Sequence, residues 1–253
     1  MPAVTLSRMK IHAFVVVLIL SCAAALAQDA KPATPAAPVE VAAESSHHLK
    51  IENEYIRAYF VEVPPGQSTL MHHHSTDYVG IAFGVSEVDV AAPDGTVKHV
   101  AFQDGQVNYA PAGVVHAVTD KGPTPFRNAT VELVQNQGHP VCVKNCENDP
   151  RAKDWPALPA SAKLIGYGDT FRIIAVTASV GQTILITDPS PHLGIFLTDA
   201  QARVVQAGKP GEDASHHAGD IVFHGPHPPE MAVANTGTQD IRLVEIQFKP
   251  VKQ

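Results

Sequence analysis

The 253-residue chain is short of charge, of aromatic side chains and of any long helical period. Asp, Glu, Lys and Arg make up 17% of it, below the roughly 25% of ordinary soluble domains, while 45% is hydrophobic, so it can bury a real core and is not globally disordered. Basic residues are outnumbered, 18 Lys and Arg against 25 Asp and Glu, and the net charge of −7 excludes a basic surface for nucleic acid. There is no Gly-x-Ser-x-Gly nucleophile turn, no phosphate-binding glycine loop and no dinucleotide fingerprint. Beyond the N-terminal segment no run of about 18 apolar residues exists, so no membrane-spanning helix is expected after residue 27.

What the chain does have is proline (21), glycine (17) and histidine (14). The first two punctuate short apolar runs, among them Ile56 to Val63, Tyr78 to Phe83, Val97 to Phe102 and Thr130 to Val134, which read as strands joined by turns. Histidine nearly as frequent as Lys and Arg together invites a search for metal ligands.

Residues 1–27 read as an export leader. Arg8 and Lys10 precede the apolar stretch Ile11 to Leu20, and Ala25-Leu26-Ala27 offers a small-x-small cleavage site. Cleavage would give a periplasmic or secreted product, and losing the two positive charges takes the net charge from −7 to −9. Ile19-Leu20-Ser21-Cys22 leaves a second route open, a lipoprotein anchored through Cys22. Residues 28–48, with Pro32, Pro35 and Pro38 among alanines, read as a flexible tether.

The remainder is duplicated. Arg57, Val61, Gly66 and Gln67 align with Arg172, Val176, Gly181 and Gln182, and Gly105 aligns with Gly219 after the loss of one residue. Two domains follow, residues 49–138 and 161–253, with residues 139–160 as a linker carrying Cys142 and Cys146. These two cysteines are either a disulfide, which export favours, or a redox or metal pair.

The first copy concentrates the chemistry. His72, His73 and His74 follow Gly66, and on an extended strand His72 and His74 share a face while His73 points away. A third imidazole, His116, follows Pro111 and Gly113. Three neutral imidazoles suit Fe, Mn, Ni, Cu or Zn and leave positions open. The two stretches resemble the paired motifs of the cupin superfamily: Gly66, His72 and His74, then Gly84; and Gly105, Pro111, Gly113 and His116, with Asp120 in place of the final Asn. The resemblance implies an all-β fold, two tandem antiparallel jelly-roll barrels each with a cavity inside. It departs at the glutamate of the first motif, for which this chain offers Asp77; either Asp77 is a fourth ligand or partner, or the site is three histidines. Tyr78 is expected in the cavity wall, Tyr109 beside a substrate oxygen, and Val79, Ile81, Phe83 or their alternate-face neighbours as lining.

In the second copy Thr187 falls opposite His72, Pro189 opposite His74, His192 opposite Asp77 and Glu230 opposite His116, so its site reads as degenerate, with His224 and His227 close by. One metal ion per chain and a small-molecule ligand are therefore expected, with homo-oligomerisation open. Two functions stand side by side: an exported metalloenzyme with dioxygenase- or decarboxylase-like chemistry, and a non-catalytic extracytoplasmic module that binds a small ligand or metal.

Overall fold

The computed structural model describes residues 37–136, 139, 141–143, 146, 153, 155–227 and 231–250. The expected leader with Cys22, residues 28–36 of the expected tether, and Glu230 lie outside the described residues.

The first repeat comprises β1 (Val39–Glu40), a 3-10 turn at Val41–Ala43, β2 (His47–Glu52), β3 (Ile56–Val63), β4 (His72–His73), β5 (Tyr78–Phe83), β6 (Ser86–Ala91), β7 (Val97–Phe102), β8 (Val107–Ala110), β9 (Val115–Asp120) and β10 (Phe126–Leu133). The second comprises β11 (Ala162–Tyr167), β12 (Phe171–Ala178), β13 (Thr183–Ile186), β14 (His192–Phe196), β15 (Ala200–Gln206), β16 (Glu212–His216), β17 (Ile221–His224), β18 (Met231–Asn235) and β19 (Ile241–Phe248). Each repeat closes from two sheets, β1-β4-β9-β6-β7 on β2-β3-β10-β5-β8, and β13-β18-β15-β16 on β11-β12-β19-β14-β17. Apart from β1, strand for strand they are the same jelly roll, as the repeat requires.

The strand alternation is put to two uses. On β3, Tyr59, Val61 and Val63 face the barrel interior with Val88 and Phe126, whereas Ile56 and Ala58 point outward. That outward face joins Val79, Ile81, Ala129 and Val131 in one core with Phe171, Ile173, Leu193, Ile195, Val244 and Ile246 of the second repeat, so the two five-stranded sheets pack against each other. Val79 and Ile81 therefore belong to the core between barrels, and their alternate neighbours Tyr78, Gly80 and Ala82 line the first cavity. Arg242 Nη1 donates to Asp104 Oδ2 across the junction at 2.8 Å. Gly105 adopts φ +74°, a backbone conformation that favours glycine, and a Cβ there would sit 2.6 Å from Leu197 Cδ1 and push that side chain aside.

The tether ends earlier than the sequence suggested. Val39–Glu40 pairs parallel with His72–His73, Val41 is buried in the first barrel's interior core, and β2 begins at His47. One valine among alanines and prolines is a weak sequence signal, yet it buries apolar surface that holds the segment down. Cys142 and Cys146 are disulfide-bonded, with Cα atoms 5.7 Å apart. The Tyr167 hydroxyl donates to the Cys146 carbonyl at 2.9 Å, which pins this linker to the second barrel.

Candidate metal centre

Pairing of β4 with β9 sets His72 opposite His116, and β2 runs beside β3 with His47 opposite Val61, an interior position. The structure thus brings together the three expected imidazoles and adds a fourth. One ring nitrogen each of His47, His72 and His74 lies within 4.8 Å of the others, and His116 Nε2 is 3.0 Å from His72 Nε2. His72 and His74 are 0% and 1% exposed, while His73 points outward to Glu40 at 3.3 Å. Among the described residues no other group of His, Cys, Asp or Glu is arranged to hold a metal ion.

The outer partners orient the rings. His72 Nδ1 donates to the Leu70 carbonyl at 2.9 Å, and His47 Nδ1 donates to Glu44 Oε2 at 2.7 Å. His74 Nδ1 lies 4.0 Å from Oε1 of Glu132, a fully buried carboxylate whose other oxygen is 2.9 Å from Arg57 Nε. A proton fixed on Nδ1 of His47 and His72 leaves Nε2 with a lone pair, the arrangement that metal-ligating histidines show. Neither buried ring nitrogen of His74 has a hydrogen-bond partner, a cost that coordination would relieve. The donor set fits a divalent transition metal on this ground alone.

Burial favours the neutral form of His72, His74 and His116. It pushes the His74 imidazolium down to about 2, with His116, His72 and His47 adding to the effect, and His116 down to about 3. His72 is lowered by burial as well. A neutral imidazole is what a metal requires, so no proton has to be displaced at neutral pH. Burial raises the Glu132 carboxyl, against the pull of Arg57.

Asp77 stands apart from this cluster. Its Oδ1 accepts from Ala112 N at 2.8 Å, and its Oδ2 accepts from the Tyr109 hydroxyl at 3.0 Å and from Asn136 Nδ2 at 2.9 Å. The carboxylate braces the loop that delivers His116, and three donors occupy it, so the imidazole cluster is joined by His47 and not by Asp77. Tyr109 is corrected by the same bond: its ring lines the cavity, but its hydroxyl serves Asp77 rather than a substrate oxygen. Tyr78 is in the wall, stacked on His74 with centroids 3.9 Å apart, its phenol raised to about 12 by burial. The cavity encloses about 120 Å³ and is closed by Val88, Val90, Phe102 and Phe126, with Asn108 and Asn128 as its amides.

The second barrel lacks all four donors. Ala162 pairs with Val176 as His47 pairs with Val61, so alanine stands in for His47; Ile186 pairs with Met231 as His72 pairs with His116, so these two stand in for His72 and His116, and two residues along from Ile186 the place of His74 falls to Asp188, where the ungapped alignment had offered Thr187 and Pro189. His192 pairs with Gln247 as Tyr78 pairs with Glu132, so it corresponds to Tyr78 rather than to Asp77. The single-residue loss lies before His192, where an ungapped alignment cannot place it.

Two matched jelly rolls with an imidazole cluster in one of them define the fold as a duplicated cupin. No protein-family model and no curated protein sequence matches the chain. Among solved structures, AerE from Microcystis aeruginosa is similar at 14% identity over 82% of this chain and 99% of that one, with a TM-score of 0.51. The oxalate decarboxylase of Lactobacillus farciminis, solved as a formate complex, matches at 14% identity over 83% of this chain and 86% of its own, TM-score 0.51. The Bacillus subtilis oxalate decarboxylase, which has Mn(II) centres, matches at 14% identity over 83% and 77%, TM-score 0.50. At such identities the likeness is one of fold.

Proposed function

We propose that the first barrel binds one divalent transition-metal ion on His47, His72, His74 and His116 and acts on a small organic acid, enol or phenolic compound, as an exported metalloenzyme with dioxygenase- or decarboxylase-like chemistry. The convergence of four imidazoles, His72 and His74 buried and His47 and His116 half-buried, two with Nδ1 tied to an outward acceptor, carries this reading. The ion would be Fe, Mn, Ni, Cu or Zn, and when bound it supplies Lewis acidity and, if redox-active, oxygen activation. Tyr78 holds the His74 ring against rotation, the apolar wall excludes water, and Asn108 and Asn128 offer amides to orient a polar substrate. A cavity of about 120 Å³ restricts that substrate to a few heavy atoms. The fold shared with oxalate decarboxylases supports a small acid. Export is supported by the basic, apolar and small-x-small succession of residues 1–27.

One feature favours a second reading, a non-catalytic module that captures a metal or small ligand outside the cytoplasm. The cavity lining contains no carboxylate, lysine or arginine to move a proton. Metal-stripped and metal-reloaded protein should be compared for oxygen uptake and for carbon dioxide release from oxalate and other small acids and diketones. Turnover that vanishes on stripping and returns on reloading supports the enzyme; tight metal binding without turnover supports the module. Failure to bind any divalent transition metal would overturn both.

A further inference from the structure

The second barrel encloses about 300 Å³, against about 120 Å³ in the first. Strand register explains the difference residue by residue. Where His47, Val63, Val88 and Val100 fill the first interior, Ala162, Ala178, Ala202 and Ala214 stand in the second, and Ile241 replaces Phe126. Small residues have hollowed the barrel out, and its volume is that of a small-molecule site.

The cavity is graded from polar to apolar. Arg172, Gln247, His192 and His224 form one cross-strand row, because β12, β19, β14 and β17 pair in that register. Two residues along, the row reads Ile174, Glu245, Gly194 and Val222, and beyond it come Val176, Leu243 and Phe196. The polar row is internally committed. Arg172 donates to Gln247 Oε1, to the Pro156 carbonyl at 2.6 Å and to Asp188 Oδ2 at 2.7 Å, and Asp188 Oδ1 accepts from Ser190 N. Gln247 Nε2 donates to Glu245 Oε1, while the other Glu245 oxygen accepts no hydrogen bond among the described residues. His192 Nδ1 donates to the Ser190 carbonyl at 3.2 Å, which leaves Nε2 as an acceptor. Two carboxylates face one guanidinium, and beside them the free oxygen of Glu245 and Nε2 of His192 are acceptors on cavity-lining residues.

We propose that the second barrel is a metal-free binding site for a mainly apolar small molecule ending in a hydrogen-bond donor, a hydroxyl or a protonated amine, with that end at Glu245 and His192 and its apolar body among Ala178, Ala202, Val233 and Leu243. A carboxylate-ended compound would meet Glu245 with like charge and lone pair against lone pair. The site is independent of the metal in the first barrel.

The linker supplies the reporter. Ala157, Leu158 and Pro159 line the cavity, and the neighbouring Trp155, the single tryptophan of the chain, lies with its ring 5.1 Å from Arg172 Cζ. The full chain should be titrated with 1-octanol, octylamine and octanoate while Trp155 fluorescence is followed, before and after metal is removed by chelation. Octanol and octylamine should saturate at one equivalent per chain, with octanoate weaker by at least about tenfold, and chelation should change nothing. Ala202→Phe, which fills the cavity, should weaken octanol by at least about tenfold, and Glu245→Gln, which keeps the bond from Gln247, should close most of the gap between octanol and octanoate. Metal content equal to the parent's shows that either variant remains folded. No saturable binding of any probe by the parent, octanoate binding as tightly as octanol, or binding that disappears with the metal would each overturn the assignment.

Discussion

The two barrels share strands, register and junction but differ in what their interiors hold. The first crowds four imidazoles and two tyrosines around a small cavity, with a buried Glu132 behind His74; the second keeps the paired arginine, exchanges Glu132 for Gln247 and every metal donor for a residue that cannot ligate through an imidazole. Jelly-roll closure is therefore indifferent to the site, which resides in a handful of inward positions on otherwise matched strands. Duplication let one copy retain coordination chemistry while the other opened its core.

Breaking the first barrel's side of this comparison should produce the largest effect. His72→Ala, His74→Ala or His116→Ala should abolish tight metal binding measured by competition with a chelator, and His47→Ala should weaken it markedly, whereas His73→Ala should leave it intact. Equal losses at all five would mean that the inward and outward faces of β4 are misassigned.

Acid sharpens the contrast next. His72, His74 and His116 are held below the ordinary histidine range in the folded chain, so the unfolded chain takes up protons that the folded one refuses. Stability of the metal-stripped protein should be complete above about pH 6.5 and fall as pH drops below it, by about 1.4 kcal/mol per pH unit for each fully coupled group. Denaturant melts at pH 7 and pH 5 check this, and equal midpoints would contradict it. In the second barrel His224, pushed down to about 4 by burial and by His192, shows the same behaviour.

Asp188→Ala tests the second barrel. It strips the ion pair from Arg172, which is 3% exposed, and should cost about 3–5 kcal/mol in urea unfolding. A smaller effect is expected from Cys142→Ser, because the short loop closed by the disulfide contributes only ~2 kcal/mol on chain-entropy grounds.

The fold was legible because Gly105, Pro111, Gly113 and His116 fall at fixed spacing and because Arg57 to Gln67 recurs at Arg172 to Gln182. His47 was not, since it precedes the motif and reaches the site only through the β2–β3 register; the repeat held one signal, in that His47 falls opposite Ala162. Asp77 misled because its spacing from Gly84 fits a ligand, whereas Ala112 N and Asn136 close on its carboxylate from loops that no spacing rule describes. The core between barrels had a trace in strands such as Phe171–Ala178, which are apolar on both faces.

The central claim is that coordination belongs to one barrel only, and the metal content of the purified chain, determined by elemental mass spectrometry after exhaustive loading and desalting, addresses it most directly. One tightly held transition-metal ion per chain, lost in His72→Ala, is the expected result; two ions per chain, or one that survives His72→Ala, would contradict it.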